Sequence, residues 1–301
     1  MRHFRTLEDL DADELRQLLD RADELARLRG TPDHPRPLSG KSVVVLLEKA
    51  STRTRLSFEI GIQELGGNAV TLIAQHTQLG RGEPLHDTAK MLGGYAHAVV
   101  YRTFGHDRVQ ALAEHASIPI INGLSDEYHP CQLLADLQTV RTSHALEGCA
   151  VAWVGDGNNM AHSWILAAAR TGIDLRIAAP VGYQPDPDIV ARGRALGAKI
   201  EVTTDPLTAV KGAQVVTTDV WASMGQEDEA KAREVAFADY QVDDAMMAKA
   251  RTDAIFLHCL PAHRGEEVAA SVIDGRQSRV WKEAENRLHA QKALLEFLVQ
   301  P

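Results

Sequence analysis

The segment Val43-Val-Val-Leu-Leu47-Glu-Lys-Ala-Ser51-Thr-Arg-Thr-Arg55-Leu-Ser-Phe-Glu59 sets a short apolar run against a polar stretch that opens a helix. A continuous β-branched run of this length suits a strand covered on both faces, as in a parallel sheet. Ser51 stands where a helix N-cap belongs. Working outward, the same unit recurs. Strands are expected at 69–72, 98–101 and 119–121, with helices over 53–65, 85–95 and 107–115. The second half repeats the pattern with strands at 151–154, 175–178, 200–202, 215–217 and 255–257. Strand and helix in alternation predict an α/β chain with parallel sheets covered on both faces.

The 301 residues suit two domains of about 150 each. The expected organisation is two doubly wound parallel-sheet domains, 1–142 and 143–282, joined by interdomain helices. A helix over 130–141 bridges the two sheets. Residues 283–301 carry Leu288, Leu294, Leu295 and Leu298 at helical spacing, and this C-terminal helix is expected to pack back on the first domain.

Composition narrows the function. Hydrophobic residues are 45% and charged residues 24%, the ordinary globular range, which excludes collagenous, disordered and disulfide-scaffold classes. The net charge of −9, with no long basic block, argues against nucleic acid or an anionic membrane as partner. The uncharged stretch 65–80 is broken by Gly66, Gly67, Asn68, Gln75 and His76 and fails as a membrane span. The first ten residues lack an apolar h-region, so a cytoplasmic protein is expected. Cys131, Cys149 and Cys259 are far apart without a CxxC pair, which argues against a disulfide framework and a zinc ribbon.

In open parallel sheets ligands gather beyond the carboxyl ends of strands. Two arginines in the first turn after Ser51 oppose the helix dipole, a penalty that makes sense if an anion sits there. Backbone N–H groups, hydroxyls and a planar guanidinium are phosphate donors, whereas the bland alternative is an Arg-rich, solvated helix start. Arg102 directly follows the strand 98–101 and suits either the same anion site or a surface ion pair. His129 and Gln132 lie one turn apart at a helix start marked by Pro130, a donor pair fit for a carbonyl oxygen and an amide. A buried structural histidine is the competing reading.

Gly155-Asp-Gly-Asn-Asn159-Met160 resembles a dinucleotide fingerprint only superficially, because Met160 replaces the third glycine and the next strand ends in Ala179-Pro180 without an acidic residue. It reads as a tight strand-to-helix turn or as a place where Asn158 or Asn159 reaches a ligand. Asp219-Val-Trp-Ala-Ser223-Met-Gly225 combines a carboxylate, a hydroxyl and a glycine hinge, a set suited to a substrate ammonium. His258-Cys-Leu-Pro261 ends the last strand and puts Cys259 at its tip.

Taken in order, these five motifs resemble the aspartate/ornithine carbamoyltransferases over nearly the whole chain, and within them the ornithine branch. Glu285-Asn-Arg287 belongs to the same likeness. The resemblance implies that Ser51, Thr52, Arg53 and Thr54 hold the phosphate of carbamoyl phosphate, joined by Arg102. It implies that Arg102, His129 and Thr54 polarise the carbamoyl oxygen, that Gln132 and the Leu260 carbonyl hold the amino group, and that Arg287 lies near the carbamoyl group. Gln78 corresponds to a residue that reaches a neighbouring subunit's phosphate site in a homotrimer. On the acceptor side the likeness puts Asn159 on the ornithine α-carboxylate, Asp219 and Ser223 on the α-ammonium, Met224 on a closing loop and Cys259 beside the side-chain amine. Cys131 receives no catalytic role. No metal or organic cofactor is expected, and arginine biosynthesis is the expected setting.

Other readings make distinguishable demands. Aspartate as acceptor calls for basic groups where Asp219 stands. Putrescine leaves Asn159 without a carboxylate, and acylated ornithines leave Asp219 without a charged amine. The citrulline-consuming direction uses the same residues. A nicotinamide-dependent dehydrogenase does not account for 51–55, and a non-catalytic homologue predicts vacated motifs, whereas every motif here is filled.

Overall fold

In a computed structural model, which describes residues 1–222 and 229–299, the chain divides into two units, Met1–Gln138 with Glu285–Pro301 and Thr139–Ala284. The first unit contains β1 (Ser42–Leu47), β2 (Asn68–Ile73), β3 (Ala98–Arg102) and β4 (Ile120–Leu124). They form one parallel sheet in the order β2-β1-β3-β4. Helices α1 (Ala12–Leu28), α2 (Thr52–Glu64), α3 (Leu85–Tyr95), α4 (His106–His115) and α5 (Pro130–Val140) accompany it. Val43, Val45, Val99 and Val100 are wholly buried, as a continuous apolar run requires. Each such side chain contributes roughly 1.5–3 kcal/mol of burial.

The second unit carries β5 (Ala150–Val154), β6 (Asp174–Ala178), β7 (Lys199–Thr203), β8 (Val215–Thr218) and β9 (Ile255–His258), all parallel, in the order β7-β6-β5-β8-β9. Its helices are α6 (Asn159–Thr171), α7 (Pro187–Ala195), α8 (Pro206–Val210), α9 (Ala230–Ala236), α10 (Asp244–Met247) and α11 (Ala270–Ile273). The last helix, α12 (Val280–Val299), begins in this unit and ends in the first. There it is tied to α1 through Arg21–Glu296 and to α2 through Lys292–Glu64. Among the described residues no helix is long and apolar enough to cross a membrane.

Each sheet reverses its strand order once, between β1 and β3 in the first unit and between β5 and β8 in the second. Such a reversal opens a crevice beyond the strands' carboxyl ends. The segments after β1, β3, β5 and β8 are therefore the ones aimed at ligands.

All nine expected strands are present, but several run further than their apolar pattern. β3 continues through Arg102, β4 through Asn122 to Leu124, and β9 through His258. The backbone ladder is indifferent to side-chain polarity, so it extends into residues that face a site. Two differences concern helices. α12 starts at Val280, three residues before the leucine pattern implies. α1, which precedes the first strand, lies outside the alternation argument altogether. Its Asp11 and Glu14 form a reciprocal capping box, and Leu15, Leu18, Leu19, Ala22 and Leu25 form its buried stripe.

Candidate active site

The first crevice is built on the start of α2. Ser51 has extended backbone and its Oγ accepts the Thr54 N–H at 3.2 Å, so the chain turns into the helix directly after β1. Thr54, on the buried side, accepts the Arg102 NH1 donor at 3.4 Å and the Arg287 NH2 donor at 3.0 Å. Thr52 is exposed, and Ser51 and Arg53 are half-buried. Arg55 turns away and pairs with Glu59 at 2.9 Å on the surface. Of the two arginines that oppose the dipole, Arg53 is thus the one left to the site.

Arg287 gathers the rest. Its NH1 donates to Gln132 Oε1 and lies 3.3 Å from His129 Nε2. A guanidinium has no acceptor, so Nε2 takes the lone-pair role in that contact. The Gln132 amide donates from Nε2 to Asp136 Oδ1 at 2.8 Å, one turn further along α5. This partner was not read from the sequence, although the i, i+4 spacing carries it. Burial holds the His129 imidazole well below its ordinary range, and Arg287, Arg102 and Arg53 push it further down. Three cations therefore act on one neutral, buried ring, which is the field an anion needs. Gln78 is exposed and directly precedes the short helical turn Leu79–Arg81.

The second crevice lies beyond β5 and β8. Asp219, 7% exposed, accepts the Val220 N–H at 2.8 Å and the Cys259 thiol at 3.1 Å on Oδ1, and the Asn158 amide at 2.9 Å on Oδ2. Asn158 also caps α6 by accepting the Met160 and Ala161 N–H groups, while Asn159 starts that helix half-buried. The glycines of this turn serve packing: Gly155 has φ +136°, and a Cβ on Gly157 would stand 2.1 Å from the Pro185 nitrogen. Leu260 follows β9 in the left-handed region, φ 59°, a conformation rare for leucine. Ser223 and Met224 lie outside the described residues.

Asp219, His258 and Cys259 offer donor atoms within 4.8 Å of one another. They are engaged elsewhere: His258 Nδ1 accepts the Leu260 N–H at 2.9 Å, its Nε2 lies 3.0 Å from Glu267, and the Cys259 thiol donates to Asp219. That set is a hydrogen-bonded network more than a metal cradle. Burial pushes the Cys131 thiol up to about 12, which leaves it an unreactive core residue.

Comparison with known proteins agrees with both halves. Residues 2–142 match the carbamoyl-P binding domain of the aspartate/ornithine carbamoyltransferases, and residues 147–298 match their Asp/Orn binding domain. The chain is 53% identical to an ornithine carbamoyltransferase of Hydrogenovibrio crunogenus, over 99% of this chain and 98% of that one. It is 56% identical to one of Halorhodospira halophila over 99% of each. The solved ornithine carbamoyltransferase of Pyrococcus furiosus superposes with a TM-score of 0.93 at 46% identity, covering 98% of this chain and 96% of that chain. An anabolic ornithine carbamoyltransferase from Campylobacter jejuni superposes with a TM-score of 0.93 at 39% identity, covering 99% of both. With two anion- and ammonium-suited crevices on matching domains, the chain belongs to the aspartate/ornithine carbamoyltransferase family, in its ornithine carbamoyltransferase branch.

Proposed function

We propose that the protein transfers the carbamoyl group of carbamoyl phosphate to the side-chain amine of L-ornithine, in the biosynthetic direction, giving L-citrulline and phosphate. The observation that carries this reading is the buried Asp219 carboxylate, braced by Asn158, Val220 and Cys259, a counter-ion for an ammonium and a poor one for a dicarboxylate acceptor. Asn159, Asp219, Ser223 and Met224 are assigned to ornithine. Ser51, Thr52, Arg53, Thr54 and Arg102 are assigned to the phosphate, with Gln78 supplied by a neighbouring copy in a trimer.

The neutral amine attacks the carbamoyl carbon, and a C–N bond forms as negative charge develops on the carbonyl oxygen. Arg102, Thr54 and the neutral His129 ring, whose N–H is then on Nδ1, are assigned as donors for that oxyanion, with Arg287 and Gln132 beside them. The C–O bond to phosphate then breaks, the amine's proton passes to the departing phosphate, and the remaining negative charge falls to the arginines and the α2 start. Cys259, hydrogen-bonded to Asp219, is assigned to the acceptor amine. The cytoplasm is the proposed location. The anabolic relative supports the biosynthetic direction.

The test is ureido-product formation from carbamoyl phosphate with ornithine, aspartate, putrescine and N-acetylornithine offered separately, and arsenate-driven citrulline breakdown beside it. Turnover confined to ornithine supports the reading. Turnover with another acceptor retains the phosphate site and overturns the role of Asp219.

A further inference from the structure

Arg233 of α9 has no part in the scheme above, yet it is only 6% exposed and its guanidinium is heavily engaged. NH1 donates to Asp156 Oδ2 at 2.9 Å and to the Trp221 carbonyl at 2.8 Å, while Nε donates to Glu229 at 3.0 Å. The group also lies 4.9 Å from the centre of the Tyr183 ring. Asp156 stands two residues before Asn158, and Trp221 two residues after Asp219. The turns after β5 and β8 are therefore joined twice, once by Asn158–Asp219 and once through the guanidinium. Without the second link, the first is one neutral amide on a carboxylate that also serves Val220 and Cys259.

We propose that Arg233 is a positioning residue for the acceptor: its NH1 nitrogen clamps the Asp156 and Trp221 turns so that Asn159 and Asp219 keep the spacing of an amino acid's carboxylate and ammonium. This rests on the assignment of those two residues to ornithine. A purely structural ion pair here would lower stability when one partner is removed and leave the ornithine KM of the folded chain unchanged. A clamp would not leave it unchanged, because both turns hang on NH1, which the rigid guanidinium plane and the Nε bond to Glu229 hold in place.

The experiment is steady-state kinetics of the full chain with carbamoyl phosphate and ornithine, wild type beside Arg233→Lys, Arg233→Gln and Asp156→Asn. Losing one or both charge-assisted bonds is expected to raise the ornithine KM about 10-fold in Arg233→Lys and about 100-fold in Arg233→Gln. The carbamoyl phosphate KM should stay within about twofold, as expected of a site without shared partners. Asp156→Asn leaves no uncompensated buried carboxylate, so it keeps the test open if Arg233→Gln does not fold, and it should raise the ornithine KM about 10-fold by the same loss of charge. An unchanged ornithine KM in folded Arg233→Lys and Asp156→Asn overturns the inference and leaves the ornithine reading standing. An equal rise in both KM values also overturns it, since that is the mark of general loosening. A wild type without turnover on ornithine overturns the reading itself, and this inference with it.

Discussion

Thr54 accepts hydrogen bonds from two guanidiniums, and a third, on Arg53, adds its field to His129. Arg53 makes no such bond to Thr54, so its removal should spare the site's scaffold. Arg53→Ala is expected to raise the carbamoyl phosphate KM about 100-fold, the scale of lost charge-assisted bonds, with the melting temperature nearly unchanged. Asp219→Asn should do the opposite, weakening ornithine by a similar factor and carbamoyl phosphate little; equal weakening of both in kinetic assays would contradict it. At this scale the chemical groups were legible, because Arg, His and Asp at strand ends carry their own rationale. Their mutual contacts were not. The sequence shows two adjacent asparagines, and only the helix geometry decides that Asn158 caps α6 and meets Asp219.

Among elements, α12 matters beyond Arg287. Lys292 is fully buried, with its Nζ 2.7 Å from Glu64 Oε2 at the end of α2 and 3.0 Å from His34 Nε2. Burial holds its ammonium below the ordinary lysine range. Glu64, by contrast, keeps 24% of its side-chain exposure and a second partner in Arg29. The two ends of the pair should therefore respond unequally. Glu64→Gln strands a buried cation and should cost about 3 kcal/mol, whereas Lys292→Met should cost less than about 1 kcal/mol, both read by urea melting. The strands were visible from β-branched runs, and α3 from its apolar spacing. α1 went unread because no neighbouring strand announces it, although its capping box and apolar stripe carried the signal. The true ends of β3, β4 and β9 were hidden because polar side chains interrupt the apolar pattern where the backbone ladder goes on.

For the molecule as a whole, Leu56 and Ile60 on α2 and Val70 on the edge strand β2 stay 49%, 39% and 38% exposed. They are candidates for the contact with neighbouring copies that the proposed trimer requires. If each phosphate site borrows Gln78 from a neighbour, mixing Arg53→Ala and Gln78→Ala chains after unfolding should restore part of the activity at carbamoyl phosphate concentrations too low for either parent. Mixed chains as inactive as either parent, despite forming trimers, would remove Gln78 from the neighbour's site. The second unit should carry its own pH dependence. Burial raises the Asp156 carboxyl from 3.8 to about 6, against the pull of Arg233 and with Asp219 and Glu229 adding to the rise. Folded chains then hold a proton that unfolded ones have lost, so stability falls as pH rises from 3.8 through about 6. Asp156→Asn should flatten that part of a plot of urea midpoint against pH.

The turn at Gly157 has a consequence for what this half of the molecule could become. Its N–H is spent on the Tyr183 carbonyl at 2.8 Å, the first free amides of α6 are spent on Asn158, and the Pro185 backbone fills the space above. A nucleotide's pyrophosphate needs those same amides and that same space. Converting the scaffold to a coenzyme-binding role would therefore demand a rebuilt loop around residues 180–186, a change of backbone path that no succession of single side-chain replacements at the glycines supplies.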